Sequence, residues 1–123
     1  MNAGVEYVQK ALNTKIREFT VCAVPHQGSY AHRWYVGCDP QVDAKQFATL
    51  LDAELCRTND DYATERTSVL GDIQMNIVPP DLFIKWMELK GKLGGQHKFP
   101  RVMKKEMFAE WEAFVAKSLK MNL

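Results

Sequence analysis

Apolar positions along the chain change period several times, and each change marks an element. Val5, Val8 and Leu12 recur at helical spacing and predict an opening helix over residues 2–16. The runs EFTVCAVP and YAHRWYVGC are β-rich and separated by HQGS, so they read as an antiparallel hairpin. A helix start follows, with Asp43 as N-cap, Gln46 three residues later, and Val42 placed to pack on Phe47. Phe47, Leu50, Leu51 and Leu55 then share one face, which carries that helix to about Arg57. TNDDYATERTS predicts a short helix capped by Asn59 or Asp60, with Tyr62 and Arg66 one turn apart.

DIQMNIVPP alternates Ile73, Met75 and Ile77 with polar residues, the pattern of a strand with one buried face, and Pro79-Pro80 ends it. DLFIKWMELK returns to helix with Phe83, Trp86 and Met87 inward. A closing helix over residues 104–120 presents Met107, Phe108, Trp111, Phe114, Val115 and Leu119. The order αββααβαα predicts an α+β fold, a small mixed sheet covered by helices in an α/β sandwich. At 123 residues the chain is expected to form one domain over residues 1–123, with no repeat or linker.

Composition narrows the function. Hydrophobic residues make up 46% and charged residues 25%, an ordinary globular balance. No apolar run reaches the roughly 20 residues of a membrane span, and MNAGVEYVQKAL lacks the features of a signal peptide, so a cytoplasmic protein with no membrane partner is expected. Cys22, Cys38 and Cys56 form no CxxC pair and read as reduced, packed thiols. Net charge is +1, yet Lys90, Lys92, Lys98, Arg101, Lys104 and Lys105 fall together with no acid among them, leaving 10 basic against 15 acidic residues elsewhere. A nucleic-acid binder would more often be basic overall, so no nucleic-acid partner is expected and a small phosphate or carboxylate fits the local charge better.

All but Lys90 of that charge sits on GKLGGQHKFPRVMKK, a segment whose adjacent Gly94 and Gly95 disfavour a helix interior. Paired glycines let backbone N–H groups approach an anion, a lysine on such a loop is a mobile point charge, and Pro100 limits the wandering of the chain. A solvated basic turn between two helices is the plain alternative. His26 and His32 flank the hairpin turn and are placed to face each other, but no third ligand lies near in sequence, so no metal is expected. Arg33 and Trp34 point to opposite sides of their strand, which should leave one of them toward solvent. Tyr62 and Arg66 read as structural anchors for the short helix.

The linked run NDDYATERT…VPPDLFIKWMELKGKLGGQHKFPRV resembles the C-terminal domain of the auxin-responsive Gretchen Hagen family of acyl-acid amido synthetases, above all its bacterial-type members. The similarity covers Phe19 to Val102 and is most specific at GKLGGQ-K-PR. It implies a lid domain of an ATP-dependent, adenylate-forming ligase. Such an enzyme joins a small carboxylic acid to ATP's α-phosphate, releases pyrophosphate, and lets an amino-acid amine displace AMP. It further implies that Lys98 is the catalytic lysine, with Lys92, Gly94, Gly95, Gln96, His97 and Arg101 forming a phosphate-binding or closure loop. ATP with magnesium, the small carboxylic acid and the amino acid are then bound through the large adenylation domain, the implied partner in cis or trans. Alone the chain is expected to bind no cofactor and to adenylate nothing. YATE at Tyr62 to Glu65 superficially matches an adenylate-binding motif, yet it lies between a helix and a strand of the lid and is set aside. The alternative within the same fold is a stand-alone binding or regulatory module.

Overall fold

A computed structural model describes residues 2–91 and 98–121. Five helices and three strands follow the expected order: α1 (Ala3–Ala11), β1 (Lys15–His26), β2 (Ser29–Asp39), α2 (Ala44–Thr58), α3 (Asp60–Arg66), β3 (Gln74–Val78), α4 (Asp81–Leu89) and α5 (Lys105–Met121). The fold is α+β, as the sequence predicts.

The opening helix is shorter than expected. It ends at Ala11 because Asn13 takes a left-handed φ of 51°, and the Asn13 and Thr14 amides turn back to the carbonyls of Lys10 and Gln9. This is the Schellman pattern with asparagine in the position glycine usually holds. Both hairpin strands are correspondingly longer, and β1 begins at Lys15.

The hairpin closes on Gln27 and Gly28, both with positive φ (47° and 76°), the signs of a type I′ turn whose twist suits the flanking strands. β3 lies parallel to β2, giving a sheet of order β1-β2-β3 and requiring the α2-α3 crossover between them. On one face of the sheet Phe19, Trp34 and Val36 pack against α1 and α2 through Val5, Val8, Phe47 and Leu51. On the other, Cys22, Val24 and Tyr35 meet α4 and α5. Asp43 caps α2 through its bond from the Gln46 amide (2.8 Å), and Asn59 caps α3 from Tyr62 (3.1 Å), as the sequence predicts.

Ile73, Met75 and Ile77 are only half-buried, whereas Val78 is the deep residue of β3. A strand at the end of a sheet has one side without a neighbour, so alternation alone overstates its burial. Gly37 in β2 is required by close approach: a Cβ there would stand 2.8 Å from a Phe83 ring carbon and 2.9 Å from the Pro80 backbone.

His26 and His32 do not face each other. His26 pairs with Ser29 and lies on the α5 side near Gln74, while His32 pairs with Ala23 on the opposite face beside Tyr62. Among the described residues no helix is long and apolar enough to cross a membrane.

Candidate functional site

The far end of the basic segment is pinned to the core. Phe99 is buried among Phe83, Trp111 and Trp86, with ring centroids 4.8, 5.2 and 5.5 Å away. The next residues run beside the outer edge of β1. The Pro100 carbonyl accepts from the fully buried Thr20 hydroxyl (2.9 Å), the Arg101 carbonyl accepts from the Val21 amide (2.9 Å), and the Met103 amide donates to the Val21 carbonyl (3.1 Å). Apolar burial and backbone pairing thus fix the chain immediately after Lys98. Lys98 itself is exposed, and among the described residues it forms no ion pair.

Arg101 is engaged differently. Its Nε donates to Glu18 Oε1 (2.8 Å), and its guanidinium lies 4.8 Å from the Phe19 ring centroid. Of the other expected loop residues, Lys92, Gly94, Gly95, Gln96 and His97 lie outside the described residues. The near end of the segment is closed by Gly91, whose φ of 68° is the left-handed value that terminates a helix. Lys90 leans over Trp86 at 5.2 Å and pairs with Glu110. Lys98, Lys104 and Lys105 therefore form the exposed cationic part of this edge, beside the exposed apolar Val102.

Tyr62 and Arg66 converge on Asp52 of α2. The Tyr62 hydroxyl donates to Asp52 Oδ1 (2.6 Å), and Arg66 donates to both Asp52 oxygens (2.9 and 3.2 Å), to the Leu70 carbonyl and to Asp72. Burial by itself would raise the Asp52 pKa. The hydrogen bonds from Arg66 and Tyr62 and the guanidinium charge outweigh it and hold the carboxyl below the usual aspartate range. Burial first, then the bond to Asp52, pushes the Tyr62 hydroxyl well up. Burial also lowers the His32 imidazole, with Glu65 opposing.

A third polar cluster was not foreseen from the sequence. Arg33 binds Glu112 of α5 (2.8 and 3.0 Å) and Gln74 (2.8 Å), and the Tyr35 hydroxyl donates to Glu112 (2.6 Å). Neither Arg33 nor Trp34 is turned out to solvent as expected. Trp34 is buried, and the Arg33 side chain is about one-third exposed and paired. The available signal was a carboxylate at position 112, between the apolar Phe108, Trp111 and Val115 on the inward stripe of α5. Burial, with Glu112 adding to it, raises the Cys22 thiol, and burial likewise raises Cys38. Neither is a ready nucleophile.

The described residues contain no group of three or more His, Cys, Asp or Glu side chains able to hold a metal ion. Among the described residues the basic edge presents the exposed Lys98 directly before the buried, core-anchored Phe99.

Among solved structures, a GH3.15 acyl acid amido synthetase matches with TM-score 0.72 and 16% identity over 93% of this chain. A second, AtGH3.15 acyl acid amido synthetase in complex with 2,4-DB, matches with TM-score 0.66 and 16% identity over 91%. This chain covers 22% of the length of each, and at that identity the likeness is one of fold. None of the curated proteins matches. The family model for the GH3 family C-terminal domain matches residues 1–107, beyond the Phe19–Val102 span over which the sequence motifs carry the resemblance. With that match over most of its length, the chain belongs to the GH3 C-terminal domain family.

Proposed function

We propose that this chain is the lid of a bacterial-type, ATP-dependent acyl-acid amido synthetase and supplies Lys98 to a separate adenylation domain, in cis or in trans. The observation that carries the reading is the contrast at one peptide bond: Lys98 is exposed while Phe99 is locked in the aromatic core. Family membership and the names of the two solved relatives support it. So does the small share of those relatives that the chain covers, since a lid is a minor part of such an enzyme.

In the first half-reaction a carboxylate oxygen of the acid attacks the α-phosphorus of ATP, the bond to the bridging oxygen breaks, and pyrophosphate leaves. In the second, an amino-acid amine attacks the acyl carbon, AMP departs, and the amine gives up a proton as the amide forms. Negative charge gathers on the α-phosphate in the first step. A lysine brought there as water is excluded stabilises that charge more than it would in solvent. Fixing Phe99 to the core shortens the free stem behind Lys98, so movement of the whole lid sets the position of the ammonium group. ATP's magnesium ion would be held by the phosphates and the adenylation domain. A cytoplasmic setting supplies ATP and amino acids.

The test is ATP–pyrophosphate exchange by a large domain of a GH3-type synthetase with and without this chain. Addition should restore exchange, and Lys98→Ala should reduce the restored rate by about tenfold or more. A mixture that stays silent at high concentration would replace this reading with a stand-alone module. Restored exchange that Lys98→Ala leaves unchanged would remove Lys98 from the chemistry.

A further inference from the structure

Among the described residues nothing pairs with the outer side of β3, where the sheet ends. Gln74–Val78 contains no charge and no proline, the devices by which an edge strand usually resists pairing. Among the described residues its backbone hydrogen bonds go only to β2. Beside this edge runs an open groove of about 680 Å³, with Ile73 and Met75 on one side and α2 from Ala44 to Ala53 on the other.

We propose that a second copy of this chain occupies the groove, pairing β3 with β3 antiparallel about a two-fold axis and laying one α2 along the other. The α2-α3 crossover joins two parallel strands, so α2 runs back against the direction of β3. A two-fold axis normal to the sheet therefore sets the two α2 helices antiparallel on the same face of a continuous six-stranded sheet.

The groove-lining residues of α2 are self-complementary in that arrangement. Centred between Ala48 and Thr49, it places Ala44 opposite Ala53 of the second copy, Ala48 opposite Thr49, and Lys45 opposite Asp52. Small side chains let the helices approach closely, and the one pair with reach joins a cation to an anion. A parallel pairing of the same helices would set Lys45 against Lys45 and Asp52 against Asp52. Asp72, almost fully exposed two residues before β3 and, among the described residues, bonded to Arg66, lies at the same end of the groove as Asp52; the two carboxylates outnumber the Arg66 guanidinium that also lines this end, so Lys45 meets net negative charge. The proposal does not depend on the catalytic reading above.

Sedimentation equilibrium of the intact chain over a wide concentration range tests it. The wild type should show a reversible monomer–dimer equilibrium. Ala48→Arg places two like charges beside the axis and should raise the dimer dissociation constant about a hundredfold or more. Lys45→Glu, a change at an exposed position, should also weaken the dimer, with the loss reduced at high salt. Circular dichroism of each variant verifies that the monomer still folds. A wild type that stays monomeric throughout overturns the proposal, and so does a dimer that either variant leaves intact.

Discussion

Along β1 the outer edge is closed by the chain's own return: residues 100–103 bond to Thr20 and Val21, and Arg101 and Glu18 set an ion pair beside the bridge. Along β3 no described segment returns, and the strand's five residues carry no charge. One edge holds the chain that follows the exposed Lys98, while the other, among the described residues, leaves its outward backbone groups unpaired beside a groove. The difference shows how three strands can serve two tasks. Covering an edge with backbone gives positional precision at its neighbours, whereas leaving one open keeps a template for association.

The sharpest way to break the closed edge is Phe99→Ala. Removing a buried aromatic ring from among Phe83, Trp86 and Trp111 should cost about 3–5 kcal/mol in chemical denaturation. It should also free residues 100–103 from β1, seen as faster amide exchange at Val21 and Met103, whose hydrogen bonds to this strap would be lost. Unchanged protection there would mean that backbone pairing, not the ring, holds the strap.

On the other edge the Asp52 hub sets the α2-α3 corner. Asp52→Ala leaves Arg66 and Tyr62 without their shared acceptor and should destabilise by roughly 2–3 kcal/mol, measured at concentrations low enough to keep the chain monomeric. Its acid behaviour follows from the depressed carboxyl. The folded pKa lies below the unfolded one, so the contribution is complete above about pH 4 and disappears as pH falls through the folded value. The wild type should therefore lose its advantage over Asp52→Ala between pH 4 and strongly acidic solution; a gap that persists at the acid end would assign the effect to packing.

The smallest effect belongs to the residue of greatest functional interest. Lys98→Ala removes an exposed side chain with no ion pair among the described residues and should shift unfolding by less than about 0.5 kcal/mol. A larger loss would show that Lys98 is part of the closed edge's structure rather than free to serve a partner.

Local chemistry was legible in the sequence wherever partners lie within a turn or two. The caps at Asp43 and Asn59, the hairpin, the inward face of α4 and that of α5 from Met107 to Val115 stand where spacing placed them, whereas Leu119, expected on the same stripe, is exposed because the last turn of α5 runs past the core. The end of α1 was misread because Val5, Val8 and Leu12 keep helical period up to the turn. Only the left-handed Asn13 stops the helix. Position 33 was misjudged for a different reason: its partner Glu112 is 79 residues away, and alternation along a strand says nothing about a carboxylate arriving on a helix from the far end of the chain.

The sequence by itself determined the succession of elements, the α+β class, the concentration of positive charge around residue 98, and the family resemblance carried by ordered motifs. Those depend on period, composition and short-range stereochemistry. Tertiary structure alone decided that Phe99 anchors one edge of the sheet, that Asp52 gathers Tyr62 and Arg66, that Glu112 ties Arg33 and Tyr35 to α5, and that β3 lies outermost. Each requires residues distant in the chain to meet, and which ones meet is set by the packing of whole faces, a cooperative result that no local pattern contains.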